Sequence, residues 1–225
     1  MCNVGSLLFC FRSLSPDMVR GKRVLEVGAA DVNGGLREVL ERWGPSEYLG
    51  IDIAPGKNVD VVCSIEDIPQ RFDAASFDVV ISTEVLEHVR DWRSAVRNLK
   101  YALRPGGHLL LTTRSYGMPY HGYPHDFWRF EEEDFRAIFA DMDIVSLEKD
   151  FSLPGIMVFA TKVPGAAEAA LDDILVYSIV TGTRCSSISD DDLQGKYFKD
   201  LLRRERLCKK IEYYFYKIIE AVRRY

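Results

Sequence analysis

The chain has 225 residues, of which 47% are hydrophobic and 28% charged, and its formal net charge is −5 at pH 7. This composition is typical of a folded globular protein and excludes a disordered chain. The mild acidity argues against nucleic acid as a partner of the whole surface, so nucleic-acid binding is not expected.

The first half of the chain alternates strand and helix patterns after a lead-in that we expect to be a short helix ending near Ser15. Strands are predicted at 23–27, 48–53, 59–63, 77–82 and 108–113, and helices at 36–43 and 91–103. The first strand is a β-rich run that ends at Gly28, and Asp91 is a capping residue for the second helix. This alternation predicts a mostly parallel sheet with helices on both faces, a doubly wound α/β fold.

The second half departs from this alternation. Residues 114–130 form a loop rich in Gly, Pro, aromatic residues and His. They are followed by a predicted helix at 131–141 and predicted strands at 144–147 and 156–161. After Pro164-Gly165 we expect a helix at 166–181, a polar loop at 182–195 and a long helix at 196–225. The predicted organisation is a domain at 1–163 with a helical extension at 164–225.

The cysteine pattern bears on metals and on location. The five cysteines are odd in number and widely spaced, and no Cys or His group has zinc spacing, so no metal site is expected. Free thiols are typical of the reducing cytoplasm. The apolar run at 7–11 is too short for a signal peptide, and no stretch approaches the ~20 residues of a membrane-spanning helix.

The predicted cofactor site lies where the first strands end. Ligands of open α/β sheets bind at the carboxyl ends of the strands, where the strand order switches, here at 26–35, 50–54, 63–67 and 82–88. Gly28 allows a tight turn out of the first strand and a close approach of a ligand to the backbone.

The charges at these strand ends distinguish two classes of cofactor. A carboxylate at Glu26 would repel the pyrophosphate of a dinucleotide but would attract the cationic methionine end of S-adenosylmethionine. Asp52 can accept both ribose hydroxyls, a role that NAD enzymes share, so it does not discriminate. Ala30 and Asp31 also break the G-x-G-x-x-G pattern of dinucleotide sites.

Six segments together resemble the class I S-adenosylmethionine-dependent methyltransferases, specifically the methyltransferase type 11 group. They are VLEVG at 24–28, YLGID at 48–52, IEDIP at 65–69, SFDVVIS at 76–82, EVLEHV at 84–89 and LRPGGHL at 103–109. The resemblance covers about 24–163. It implies a Rossmann-like, seven-stranded, mostly parallel sheet whose last hairpin makes one strand antiparallel.

The resemblance also implies where S-adenosylmethionine is bound. The turn around Gly28 would hold the methionine part, Asp52 with its neighbour Ile53 the ribose, Ser64 and Ile65 the adenine side, and Thr83 and Glu84 the floor near the sulfonium. The implied cofactor-binding residues are Glu26, Gly28, Ala30, Asp52, Ile53, Ser64, Ile65, Thr83 and Glu84. Two of them depart from the family pattern, which has Gly at 30 and Asp at 64. Ser64 accepts a hydrogen bond without a charge, so we expect binding weaker by on the order of 1 kcal/mol.

The acceptor side of the site is predicted in the loop at 114–130. Its side chains titrate, stack or bind anions: Tyr116, Tyr120, His121, Tyr123, His125, Asp126, Trp128 and Arg129. An oxygen acceptor must lose a proton during methyl transfer, so His121, His125 and Asp126 are the predicted catalytic residues. In the alternative interpretation the aromatic residues cover the core and Asp126 pairs with Arg129. His88 and His108 are expected to be structural.

The carboxyl-terminal segment 196–225 has ten basic and four acidic residues, with apolar residues on one face. It could pack on the acidic body of the protein, bind a partner or a second copy, or contact an anionic membrane surface.

The sequence therefore predicts a cytoplasmic methyltransferase that acts on a small molecule or on a glycan or lipid intermediate, with transfer to oxygen or nitrogen. Two alternatives remain. One is a nicotinamide-dependent oxidoreductase on a Rossmann-like fold, and the other is a non-catalytic binding module that retains the fold.

Overall fold

A seven-stranded sheet forms the centre of the protein in the computed structural model, which describes residues 3–31, 34–122 and 125–223. The strands in chain order are β1 (Arg23–Val27), β2 (Glu47–Asp52), β3 (Val61–Val62), β4 (Phe77–Thr83), β5 (Leu103–Arg114), β7 (Met142–Lys149) and β8 (Gly155–Lys162), with β6 in a second sheet described below. Their order in the sheet is β3-β2-β1-β4-β5-β8-β7. The pairings from β3 to β5 are parallel, and β8 is antiparallel to both of its neighbours. The predicted fold, with one antiparallel strand, is confirmed.

Successive residues of the central strands face opposite sides of this sheet and join two separate hydrophobic clusters. In β1, Val24 belongs to one cluster and Leu25 to the other, and in β4 Val79 and Val80 divide in the same way. A strand that is buried on both faces has a continuous apolar run rather than an alternating one, which explains the composition of these segments.

Helices cover both faces. The helices are α1 (Val4–Ser13), α2 (Pro16–Val19), α3 (Arg37–Arg42), α4 (Ile68–Arg71), α5 (Trp92–Ala102), α6 (Glu132–Ile138), α7 (Asp190–Gln194) and α8 (Lys196–Val222). Helices α1–α3 pack on one face and α4–α6 on the other, as their buried side chains show. Helix α5 begins as predicted, because the Asp91 side chain accepts a hydrogen bond from the Ser94 N–H at 3.1 Å.

A second, three-stranded sheet was not predicted. It contains β6 (Trp128–Arg129), β9 (Val176–Ser178) and β10 (Thr183–Cys185) in the order β10-β9-β6. The predicted helix at 166–181 is therefore wrong, and the predicted polar loop at 182–195 contains β10 and α7. β9 pairs with the nearby β10 and also with β6, almost 50 residues earlier in the chain, and local sequence patterns do not register this second, tertiary pairing.

This second sheet joins the region after residue 163 to the core of the main sheet. Leu171, Val176 and Val180 are at most 2% exposed and belong to the same hydrophobic cluster as the residues of β5 and α5. Phe198, in the first turn of α8, is 5% exposed and its ring contacts that of Tyr120 edge-on, with the ring centroids 5.7 Å apart.

The remainder of α8 extends away from this core. Its exposed apolar residues include Leu207, Ile211, Tyr213, Tyr214, Phe215, Tyr216 and Ile218. The interpretation in which this face packs on the protein's own body is therefore wrong for these residues, and their contact with a partner or a membrane stays a prediction. Among the described residues, no helix is both long enough and apolar enough to cross a membrane.

Replacing Phe198 by Ala should lower the free energy of unfolding by about 3 kcal/mol, because a buried aromatic ring leaves a cavity. The matched control is F215A on the same helix, where the ring is 64% exposed and the change should stay within about 0.5 kcal/mol. Urea unfolding followed by circular dichroism measures both values. Equal destabilisation by the two variants would contradict the division of α8 into a packed first turn and an unpacked remainder.

Candidate functional site

The carboxyl ends of β1, β2, β4 and β5 meet at one edge of the sheet. The strand order switches between β1 and β4, because the chain continues from β1 to β2 on one side and later returns to β4 on the other. Open α/β sheets bind ligands at such a switch point. The predicted cofactor residues lie at these strand ends and in the segment after β3. The fold therefore brings these residues together at one edge of the sheet.

Gly28 forms the turn at the end of β1. Its φ is +81°, a left-handed conformation that favours glycine, and a Cβ there would lie 2.1 Å from Cγ2 of Val85. The Gly28 and Ala29 N–H groups both donate to the Ile51 carbonyl, which ties the turn to β2. The turn therefore has no space for a side chain at this position, because Val85 of the segment after β4 packs against it.

Asp52 lies at the end of β2 and faces the same turn. Its Oδ2 accepts a hydrogen bond from the Ala30 N–H at 3.2 Å. Its neighbour Ile53 is 63% exposed, which is unusual for an isoleucine beside a buried strand. An exposed apolar residue next to a half-buried carboxylate suits a ligand with a planar base and a ribose.

Ser64 and Ile65 follow β3 and begin a 3₁₀ turn at Ile65–Asp67. The Ser64 hydroxyl accepts a hydrogen bond from the Glu66 N–H at 3.2 Å, while Ile65 is buried and its carbonyl accepts from Asn98 of α5. Ser64 thus caps this turn. The contact of Ser64 with adenine stays a prediction, as do the contacts of the other predicted residues with the cofactor.

Glu26 is almost fully buried inside the sheet. Its Oε2 accepts a hydrogen bond from the Tyr48 hydroxyl at 2.8 Å. Burial raises the pKa of Glu26 to about 7, against the opposing effects of the Tyr48 hydrogen bond and the Arg37 charge. A buried carboxyl group with a raised pKa gains stabilisation from a nearby cation, as its predicted role requires.

Glu84, directly after β4, is held in a strained conformation within a buried polar network. Its φ is +56°, which is rare outside glycine. Its Oε1 accepts hydrogen bonds from Thr112 at 2.8 Å and from Ser6 of α1 at 3.1 Å, and its Oε2 lies 2.5 Å from Nε of Arg114. Burial and the negative charge of Glu87 raise the pKa of Glu84. These contacts direct Glu84 into the protein, while Thr83 is buried beside it.

The acceptor loop is built around a buried ion pair. Asp126 is fully buried, and its two oxygens lie 2.5 and 2.6 Å from the guanidinium nitrogens of Arg129. Arg129 also donates to the Met118 and Pro119 carbonyls, which closes the loop on itself. The alternative interpretation, in which Asp126 pairs with Arg129, describes this arrangement. Trp128 and Phe130 are completely buried, as that interpretation also expects.

His121 lies between two carboxylates. Its Nδ1 is 3.0 Å from Oδ2 of Asp126, and its Nε2 is 3.6 Å from Oε1 of Glu87. Burial alone would lower the pKa of His121, but the interactions with Asp126 and Glu87 outweigh it and raise the pKa to about 9. His121 is therefore engaged by both carboxylates, which favour its protonated form as long as no other cation lies between Nε2 and Glu87.

Glu87 is a site residue that the sequence analysis missed. It is fully buried in a 3₁₀ turn at Leu86–His88, and its Oε2 accepts a hydrogen bond from Thr113 at 2.7 Å. Burial opposes ionisation, but the interactions with His121, His88 and Thr113 outweigh it and lower the pKa of Glu87. The chain position beside His88, within a segment resembling the family, was the signal that could have found it.

His125 and His88 are joined through the loop backbone. The Nδ1 of His88 donates to the His125 carbonyl at 2.5 Å, while the exposed His125 ring stacks at a tilt on Phe127. Among the described residues His125 is the predicted catalytic group without a carboxylate contact. Tyr123 of the same loop lies outside the described residues.

A separate cavity of about 320 Å³ lies at the opposite edge of the sheet, between Lys22, Asp78, Arg104 and His108. These residues precede β1 or lie near the amino-terminal ends of β4 and of the part of β5 paired with it, so the cavity is remote from the predicted cofactor turn. His108 has the structural role that was expected, since its Nδ1 lies 3.1 Å from the Thr161 hydroxyl on β8.

The strand order, with carboxylates at adjoining strand ends, defines an α/β protein with the fold that class I methyltransferases use. A methyltransferase domain family model matches residues 9–148, and the chain belongs to this family. This membership confirms the recognition of a class I S-adenosylmethionine-dependent methyltransferase and excludes the nicotinamide-dependent alternative.

Individual curated proteins are similar to this chain over only part of its length. A ubiquinone biosynthesis O-methyltransferase from Idiomarina loihiensis is 34% identical over 111 residues, which are 43% of this chain and 44% of that protein. The match thus spans less than half the length of this curated relative.

Two solved structures share the fold. One is an S-adenosylmethionine-dependent methyltransferase from Mesorhizobium loti, with a TM-score of 0.51 and 18% identity, covering 71% of this chain and 99% of that one. The other is the 1,6-didemethyltoxoflavin-N1-methyltransferase of Burkholderia thailandensis, with a TM-score of 0.53 and 15% identity, covering 71% and 76%.

Replacing Glu26 by Gln should change how stability depends on pH. The pKa of Glu26 is raised from 4.5 to about 7 in the folded protein, so the folded state keeps a proton that the unfolded state releases. This contribution to stability is complete below pH 4.5 and is lost as the pH rises through 7. The E26Q variant should therefore exceed the wild type by up to about 3 kcal/mol at pH 8 and lose less stability from pH 5 to pH 8.

Urea unfolding at the two pH values measures this effect. Glu84 contributes in the same direction in both proteins, so the difference between them reports Glu26 alone. The control is E38Q on the exposed face of α3, which should follow the wild-type profile within about 0.5 kcal/mol. Parallel profiles for E26Q and the wild type would contradict the raised pKa.

Proposed function

We propose that this protein transfers the methyl group of S-adenosylmethionine to an oxygen atom of a small molecule or of a glycan or lipid intermediate. The observation that carries the proposal is the connection of two groups of residues at one sheet edge. The cofactor turn at Gly28 contacts the segment after β4, and that segment continues directly into the cluster of Glu87, His88 and His121. Cofactor and acceptor groups are therefore neighbours.

The charges at this edge support S-adenosylmethionine as the methyl donor. The carboxyl group of Glu26 is buried with a raised pKa, and a cationic methionine end would stabilise its ionised form. Asp52 faces the turn and would accept the ribose hydroxyls, with Ile53 against the base. Thr83, Glu84, Ser64 and Ile65 complete the proposed cofactor contacts.

The reaction needs little covalent chemistry from the protein. The acceptor oxygen attacks the methyl carbon in line with the carbon–sulfur bond, that bond breaks, and S-adenosylhomocysteine leaves. The chain contributes by aligning the acceptor and excluding water. Helix α1 helps to enclose the site, since Ser6 contacts Glu84 and Asn3 donates to Asp150 at 2.6 Å.

Oxygen is the favoured acceptor atom because titratable groups surround the site. A hydroxyl must lose its proton, whereas a neutral amine can attack before it does so. Of the three predicted catalytic residues, His121 and Asp126 are engaged with each other, and His125 is the one that the geometry leaves available to accept a proton. The O-methyltransferase relative supports this choice of atom.

We place the reaction in the cytoplasm, where free cysteines such as Cys63 and Cys208 persist.

S-adenosylhomocysteine should raise the melting temperature of the protein, and NADH should leave it unchanged. The part of S-adenosylhomocysteine placed near Glu26 is neutral or cationic, whereas NADH would bring an anionic pyrophosphate there.

The D52N variant should bind S-adenosylhomocysteine about 10-fold to 100-fold more weakly, the loss expected for hydrogen bonds to a charged group. Titration calorimetry gives the affinities, and D73N, at an exposed carboxylate, is the matched control. Wild-type affinity in D52N would contradict the proposed ribose contact.

Methyl transfer itself is tested with radiolabelled S-adenosylmethionine and panels of phenols, catechols, sugars and polyprenyl-linked intermediates. Labelled product with a hydroxyl acceptor is the expected result. Binding of S-adenosylhomocysteine without transfer to any acceptor in these panels would support a non-catalytic binding module instead.

We further infer that α8 contacts an anionic membrane surface. Aromatic and aliphatic residues at 207–219 are exposed, and lysines and arginines such as Lys209 and Lys210 lie among them. A helix of this composition binds at the interface of a bilayer through apolar burial and attraction to acidic lipids. This placement would suit a lipid intermediate as the acceptor.

The K209E/K210E variant should lose most of its co-sedimentation with vesicles that contain phosphatidylglycerol, since each basic residue near the surface contributes about 1 kcal/mol. The wild type should bind these vesicles and should not bind vesicles of phosphatidylcholine alone. The matched control is R71E/K149E, which makes the same change of net charge at two exposed residues outside α8 and should leave vesicle binding intact. A concentration-dependent dimer in light scattering, without vesicle binding, would contradict the membrane contact.

A further inference from the structure

We propose that Glu87, His88 and His121 form a binding site for a divalent transition-metal cation, such as Zn²⁺, on the acceptor side of the methyl-transfer site. The site is inferred from the positions of these three side chains. Its role in activating the acceptor rests on the proposed function. No metal was expected from the sequence, because no Cys or His group has zinc spacing and His121 lies far along the chain from the adjacent Glu87 and His88.

The first observation is convergence. One ligand atom from each of the three side chains lies within 4.8 Å of the others. Oε1 of Glu87 is 3.6 Å from Nε2 of His121 and 3.8 Å from Nε2 of His88. Ligands at about 2.1 Å from a cation are separated by about 3.0–3.4 Å, so small rotations of the two imidazoles would complete the site.

The second observation is an unused buried oxygen. Oε1 of Glu87 is buried and accepts no hydrogen bond within the part of the chain that the structure describes. Nε2 of His121, Nε2 of His88 and Nε of Arg114 lie 3.6, 3.8 and 4.0 Å from it, and its other oxygen is occupied by Thr113. A cation between this oxygen and the two imidazoles would give the buried oxygen the close partner that it lacks.

The third observation is the orientation of the imidazoles. Nδ1 of His88 is directed at the His125 carbonyl at 2.5 Å, and Nδ1 of His121 at the Asp126 carboxylate at 3.0 Å. Metal-binding histidines are held in this way, with one ring nitrogen donating to an oxygen acceptor and the other directed at the cation. The buried Asp126–Arg129 pair thus acts as a support for His121.

The donor set indicates the kind of cation. Two imidazoles and one carboxylate suit Zn²⁺ and neighbouring transition metals, whereas Mg²⁺ and Ca²⁺ prefer oxygen ligands. The side chains of His88 and His121 are 20% and 22% exposed, so the solvent side keeps positions for further ligands. Three protein ligands with an open position are typical of catalytic rather than structural zinc sites.

An acceptor hydroxyl at the open position would lose its proton more easily, because a bound cation stabilises the oxyanion. The proton would pass to His125, the oxyanion would attack the methyl carbon, and the carbon–sulfur bond would break to give the methyl ether and S-adenosylhomocysteine. The bound cation would thus activate the acceptor hydroxyl, which His121 and Asp126 do not do because they engage each other.

The experiment is a calorimetric titration of Zn²⁺ alone into full-length, chelator-treated protein, without methyl donor or acceptor. The wild type should bind one Zn²⁺ per chain. H88N and H121N should weaken this binding by at least about 100-fold, since each keeps a donor in the place of Nδ1 but lacks Nε2. H108N, which changes a histidine outside both the cluster and the acceptor loop, is the matched control and should bind as the wild type does.

Circular dichroism and thermal unfolding verify that each variant is folded. Wild-type protein that binds no Zn²⁺, or wild-type affinity in folded H88N and H121N, would overturn the site. Unchanged methyl transfer after removal of the metal would overturn acceptor activation. Absence of any methyl transfer would overturn the proposed function but would leave the zinc titration to decide the site, so the two failures are distinguishable.

Discussion

The burial of carboxyl groups at the carboxyl edge of the sheet is the constraint on which the arrangement of the site depends. Glu26, Glu84, Glu87 and Asp126 are each at most 5% exposed, although carboxylates are seldom buried without partners. Asp126 is matched by Arg129, Glu84 by Arg114 and Glu87 by His121, while Glu26 accepts a hydrogen bond from a tyrosine hydroxyl. Burial raises the pKa of Glu26 and of Glu84 at this edge. A nearby cation stabilises the ionised form of such poorly solvated carboxyl groups, and both proposals, for a sulfonium cofactor and for a divalent cation, follow from this.

The same edge explains why distant parts of the chain are needed to build the site. Helix α1 supplies Ser6 to Glu84, the segment after β4 supplies Glu87 and His88, and the acceptor loop supplies His121. The small second sheet then pairs β6 of this loop with β9, which connects the loop to the region after residue 163. The acceptor loop is thus closed by the Asp126–Arg129 pair on one side and by β9 on the other. A loop supported at both ends holds its histidines in place, as the alignment of an acceptor requires.

The central part of the fold was predictable because its strands are buried on both faces. Segments such as 77–82 are continuous apolar runs bounded by polar or turn residues, and their alternation with amphipathic helices allows few topologies. The positions of Gly28 and Asp52 were predictable for the same reason, since the end of each strand places them at a known edge, while their contacts with a cofactor stay predictions. The segment 166–181 was not predictable. It contains helix-favouring alanines, yet Val176–Ser178 pairs with residues 128–129, and this gain depends on a partner that the local sequence does not reveal.

Sequence by itself determined the class of fold, the family and the sheet edge at which the cofactor site is proposed, because these depend on periodicity and on residues close together in the chain. Only the tertiary structure decided the contacts within the acceptor loop. Asp126 and His121 were predicted to handle a proton, but they engage each other, with Arg129 beside Asp126 and Glu87 beside His121. The state of a titratable group is set by burial and by neighbours within a few ångströms, and those neighbours come from segments that only folding brings together.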